Sequence, residues 1–122
     1  MLLRGALAHT QSLTARLYEA WRADQFVLEF AGRELSELDV WKKYGDGREL
    51  GAGVIDVKGF SQDTPEDVAA RIRRVLEVCP ADKLYVNPDC GFGWSPRYMC
   101  NQKIRALAAG ARLVRSKLTA RR

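Results

Sequence analysis

No run in the sequence approaches the ~18 consecutive apolar residues of a membrane-spanning helix. The opening MLLRGALAHTQ carries a short apolar patch without the plan of a signal peptide. The expected compartment is cytoplasmic, with no membrane partner. Cysteine is scarce: Cys79, Cys90 and Cys100 form an odd set with no CxxC spacing, which argues against a disulfide framework and for reduced thiols. A broad cationic surface is missing too. The formal charge is +5, but Arg112, Arg115, Lys117, Arg121 and Arg122 crowd the last eleven residues and the remainder nearly balances. That pattern predicts a solvated helix end, favoured by the C-terminal dipole, over a nucleic-acid patch. The GFG of Gly91 to Gly93 does not match a phosphate-loop fingerprint.

What is present suits a globular domain. The 122 residues are 47% apolar, and a chain of this length buries roughly 65% of the surface exposed when unfolded. Leu13, Leu17, Ala20 and Trp21 recur at helical spacing, predicting an amphipathic helix from about His9 to Ala23. FVLEF, Phe26 to Phe30, has the short apolar character of a buried parallel strand. A second helix is predicted from Arg33 to Tyr44, ending near Gly45, and a glycine-rich strand over Leu50 to Val57. DTPEDVAARIRRVLEV carries Thr64 as N-cap, Pro65 at the first helical position, Glu66 and Asp67 in the first turn and an apolar stripe of Val68, Ile72, Val75 and Leu76. KLYVN predicts a third strand, and a last helix runs from about Arg97 to Leu118. The order is repeated βα, which predicts a parallel sheet with functional groups gathered beyond the carboxyl ends of its strands. Glu29, Asp56, Lys58, Asp89 and Cys90 all fall there.

Each of these residues has a structural and a chemical reading. A lone Glu29 inside FVLEF is costly to bury, so it is a salt-bridged or hydrogen-bonded structural acid, a catalytic or metal-binding group, or simply exposed. Cys90, in the polar turn NPDCG, is either a small packed residue or a thiolate. Cys79 and Cys100 read as packing, and His9 as a surface residue. Asp56 and Lys58 straddle the end of the middle strand; they form an ion pair, or Lys58 binds an anion or acts as a general acid. Phe92, Trp94 and Tyr98 form a packed loop or wall a pocket. Carboxylate and thiolate are both accepted zinc ligands, yet two ligands do not make a zinc site.

The runs LEF, GAGVIDVK and LYVNPDCGF, in this order and spacing, resemble the C-terminal end of the cobalamin-independent methionine synthase family from about Asp24 to Arg115. VNPDCG is the most specific piece. The resemblance implies a (βα)8 barrel that transfers a methyl group from a methyl-folate to the thiol of homocysteine, with a zinc that activates the thiol. It also implies that Glu29 and Cys90 are metal ligands. Two further family ligands, a His-x-Cys pair ahead of an Arg-Gly dipeptide, have no counterpart: only Met1, Leu2 and Leu3 precede Arg4, and His9 has no cysteine at the required spacing. Lys58 stands where the family carries a histidine proton donor, which implies a relative acting on another small thiol or methyl donor.

A full barrel takes about 250 residues. The expected architecture is therefore α/β, a partial (βα)8 barrel comprising the last three parallel strands with their helices, with residues 1–122 as one domain. Such a segment has open edges and an inner face built to meet absent strands. It is expected to be inactive alone, being a fragment, a self-associating chain or one half of a pair completed by a separate chain. The alternative is a non-catalytic interaction module on a degenerate βα scaffold.

Overall fold

The computed structural model describes residues 16–121. Three strands, β1 (Gln25–Glu29), β2 (Glu49–Ile55) and β3 (Leu84–Pro88), form one parallel sheet in the order β1-β2-β3. Parallel neighbours require crossover connections. Helix α1 (Leu38–Tyr44) lies between β1 and β2, α2 (Pro65–Leu76) between β2 and β3, and α3 (Arg97–Thr119) follows β3. The α/β alternation expected from the sequence is thus realised. Residues 16–20 are helical; the remainder of the predicted first helix on its N-terminal side, His9 included, lies outside the described residues.

Register explains which face carries the core. Phe26 pairs with Leu50 and Leu50 with Leu84; Leu28 pairs with Ala52 and Ala52 with Val86. Alternation puts these on one side of the sheet. There they join Leu38 and Trp41 of α1, Val68, Ile72 and Val75 of α2, and Ala106 and Val114 of α3 in a single apolar core. The opposite face is formed by Val27, Glu29, Gly51, Gly53, Tyr85 and Asn87. Val27 remains 64% and Tyr85 52% exposed. FVLEF is therefore an edge strand with one face in the core, not a strand buried on both sides. Among the described residues β1 and β3 each have one neighbouring strand.

Helix α2 forms where its capping sequence predicts. The Thr64 hydroxyl accepts the Asp67 N–H, the Asp67 carboxylate accepts the Thr64 N–H, and Pro65 occupies the first turn. Its close approach to α3 depends on Gly110, where an added Cβ would lie 2.7 Å from the Val68 side chain. The second helix differs from expectation. In place of a helix from Arg33, a 3-10 turn spans Ala31–Arg33, and Glu34 and Leu35 adopt left-handed φ of 53° and 61°. This break turns Leu35 into the core, and the helix starts only at Leu38. β2 ends at Ile55, two residues early, because the chain turns at Asp56, whose Oδ1 accepts the Lys58 N–H at 2.9 Å. Lys83 belongs to a 3-10 turn, Ala81–Lys83, ahead of β3.

A buried polar network anchors the β2–α2 loop. Asp63 and Lys103 are almost fully buried, and the Lys103 ammonium lies 2.9 Å from Asp63 Oδ2 while also donating to the Ser61 carbonyl at 3.0 Å. Arg71 bonds Asp63 Oδ1 at 2.6 Å and the Val54 carbonyl at 2.9 Å. Burying charge is tolerated because each group is paired and hydrogen-bonded. The network fixes the root of the loop that carries Lys58.

Candidate functional site

The site begins with the end of β3. After Pro88 the Asp89 N–H donates to the Ile55 carbonyl at 2.9 Å, which holds the NPDCG turn against β2. The Asp89 carboxylate then crosses β2 above Gly53, where an added Cβ would overlap Asp89 Oδ1 and sit 2.9 Å from its Cα. On the far side it accepts the N–H groups of Phe30 and Ala31 at 3.1 Å each on Oδ1, and of Gly32 at 2.6 Å on Oδ2. Three consecutive backbone donors cradle the anion. One side chain thus ties the loop after β3 to the loop after β1, and only glycine at position 53 leaves it room.

Cys90 follows directly, and its thiol is exposed. It lines a cleft of ≈ 350 Å³ with Val57, Lys58, Phe60, Trp94 and Met99. Lys58 reaches out of this cleft to Glu29, its Nζ 3.7 Å from Glu29 Oε2, with the two side chains 74% and 45% exposed. Glu29, Lys58 and Cys90 therefore gather at one end of the sheet, as the strand-end argument requires.

Several residue-level expectations change. The burial expected of FVLEF fails at Glu29, which is exposed on the open face of β1, while the salt-bridge reading holds in its contact with Lys58. Cys90 is not a packed core residue. The partner of Lys58 is Glu29; Asp56 instead caps the turn through the Lys58 backbone. Of the three aromatics that follow Cys90 only Phe92 packs against the core, whereas Trp94 in the loop and Tyr98 in the first turn of α3 are exposed. Cys79 is buried, as expected of a packing residue, and burial, helped by Asp82 and opposed by Lys83, pushes its thiol pKa up. Asp89 is the functional residue that sequence reasoning placed at a strand end without a role. Its partners lie 57 to 59 residues away along the chain.

Residues 10–112 match the family described as "Cobalamin-independent synthase, Catalytic domain". The chain belongs to this family. It is 44% identical over 114 residues to 2-hydroxypropyl-CoM lyase of Xanthobacter autotrophicus, covering 89% of this chain and 30% of that protein. It is 36% identical over 107 residues to methionine synthase of Saccharolobus solfataricus, covering 88% and 32%. A B12-independent methionine synthase from Shewanella, solved in complex with selenomethionine, superposes with a TM-score of 0.73 at 28% identity, over 91% of this chain and 32% of that one. The chain thus spans about a third of the length of these relatives.

The zinc implied by the resemblance can be set against the residues present. An exposed carboxylate at Glu29 and an exposed thiol at Cys90 are chemically apt zinc donors and are open to an arriving ion. Catalytic zinc takes three protein ligands. Among the described residues no group of three or more His, Cys, Asp and Glu side chains comes together. Glu29 and Cys90 are donors of the right chemical type, but the described residues do not complete a zinc site.

Proposed function

We propose that this chain is the portion of a zinc-dependent alkyl-transfer (βα)8 barrel that supplies two metal ligands, Glu29 and Cys90. The remaining ligands and strands come from polypeptide outside residues 16–121, in the same chain or a complementing one. The supporting observation is the Asp89 clamp, which holds the Cys90 turn beside the end of β1, where Glu29 projects. Bound zinc supplies deprotonation of a substrate thiol, a poor nucleophile at neutral pH until it becomes a thiolate. The chain's own residues shape the approach: the cleft walled by Phe60, Trp94 and Met99 leads to Cys90. The thiol is homocysteine or another small thiol, and the family's donor is a methyl-folate. The 44% identity to a lyase named for 2-hydroxypropyl-CoM, and Lys58 in place of the expected histidine, favour a thiol other than homocysteine.

Metal analysis tests this reading. The purified chain, alone and with the N-terminal two-thirds of a methionine synthase relative, is expected to take up zinc more tightly in the pair, and Cys90→Ala to abolish the gain. Zinc binding in the pair that is indifferent to Cys90→Ala removes the site. Methyl transfer is expected from the pair and not from the chain alone.

A second reading, a non-catalytic interaction module, is favoured by the exposed Val27 and Tyr85 on the open sheet face. Light scattering separates the two. A stable metal-free species that needs no complementing half supports the module.

A further inference from the structure

We propose that the cleft in front of Cys90 selects small organic molecules that carry a negative charge, with Lys58 as its specificity-determining residue. This rests on the reading of the Cys90 cleft as a substrate site and names the charge of the molecule that enters; no metal is assumed. The cleft holds ≈ 350 Å³, and Lys58 and Cys90 line it together. Among the described residues that line it Lys58 is the one charged side chain, while Phe60, Trp94 and Met99 supply an apolar wall. One cation, no acid and an apolar wall complement a small anion with a short apolar body.

The acids nearest in sequence are engaged elsewhere. Asp89, beside Cys90, accepts the N–H groups of Phe30, Ala31 and Gly32 after β1. Asp56 accepts the Lys58 N–H at 2.9 Å. The first turn of α3, which borders the cleft through Met99, holds no acidic residue. Glu29 competes for the ammonium, but its Oε2 lies 3.7 Å from Nζ, beyond hydrogen-bond reach, and both side chains are open to water. An arriving anion therefore meets an ammonium whose donors are still available. The loop that carries Lys58 is rooted by the buried Lys103, which bonds both Ser61 and Asp63, so a fixed backbone presents the cation.

Cys90 itself reports the selection. Its thiolate sulfur displaces iodide from iodoacetate, an anion, or from iodoacetamide, the neutral counterpart; a sulfur–carbon bond forms and the thiol proton passes to water. Both reagents attack the same thiolate, so a change in its population cancels from the ratio of their rates. With the whole native chain and the Cys90 peptide quantified by mass spectrometry, the iodoacetate-to-iodoacetamide ratio is expected to exceed that of a short neutral cysteine peptide by about threefold at low salt. Lys58→Met is expected to return it to the peptide value, Lys58→Arg to preserve it, and added salt to shrink it. A parental ratio equal to the peptide's, or one that survives Lys58→Met, overturns the inference. Propionate and ethanesulfonate are expected to slow iodoacetamide at Cys90 where 1-propanol does not, the stronger of the two naming the head group. Equal protection by all three, or none by either anion, also counts against it. Zinc does not enter the measurement, so loss of charge selection leaves Cys90 as a metal ligand untouched, and a failed zinc assignment leaves the ratio standing.

Discussion

Asp89 shows how much one carboxylate can organise. Its three backbone partners are donors, so an amide in its place turns an NH2 group toward one of them and leaves that N–H without an acceptor. Asp89→Asn is expected to lower unfolding free energy in urea by about 2 kcal/mol, in the range of a lost charge-assisted hydrogen bond. A change within 0.5 kcal/mol would remove the clamp as a stabilising feature. The thiols offer a second contrast. Cys90 is exposed and is expected to react with iodoacetamide in the native chain, while Cys79, buried and with its pKa raised chiefly by desolvation, reacts only after unfolding. The raised pKa also has a sign for stability. A thiol kept neutral in the fold contributes stability that is fully present below its unfolded pKa and is lost as pH climbs through the folded one. The parent is therefore expected to lose stability on the alkaline side, and Cys79→Ala to lose less over the same pH range. Residue identity was legible where chemistry is local, as in the NPDCG turn. The Asp89 contacts were not, because they join groups brought together only by the sheet. The burial of Glu29 was misjudged because FVLEF does not reveal that one of its faces stays open.

At the scale of elements, local signals decided what could be read in advance. Helix α2 carries its cap, its proline and its stripe within one short segment, and it forms where they predict. The segment after β1 does not: Glu34 and Leu35 adopt left-handed backbone because the core demands Leu35, a tertiary preference that overrides helical spacing. The burial of Lys103 has no local signal either, since only the fold brings Asp63 to face it. The α2–α3 contact gives a direct test. Gly110→Ala gains helix propensity of roughly 1 kcal/mol, yet its methyl must enter space held by Val68 Cβ and the Pro65 carbonyl, at 2.7 and 2.9 Å. Overpacking costs about 1 to 3 kcal/mol, so a net loss of stability is expected in urea titration. A gain would show that the two helices part readily.

At the scale of the molecule, the described residues form a three-stranded parallel sheet covered by helices on one face and open on the other. Val27 and Tyr85 flank a glycine floor there, and another polypeptide is the natural cover for such apolar surface. The melting temperature of the parent is expected to rise with protein concentration, as mass action requires of an associating chain. The pair Val27→Lys and Tyr85→Lys is expected to flatten that dependence. A concentration-independent parent would show that the face needs no cover. The strand count and their parallel order were legible from βα spacing; the open face became visible only once register had assigned each side chain to a side. The Asp89 bridge then sets rules for cutting and rejoining a protein that carries this sheet. Because the bridge spans residues 30 to 89, a break ahead of β1 preserves the Cys90 turn as a preassembled cassette. A break between Gly32 and Leu84 severs it. A split enzyme or switchable sensor built on this scaffold therefore has its division point before residue 24, with the thiol-bearing module carried intact on one side.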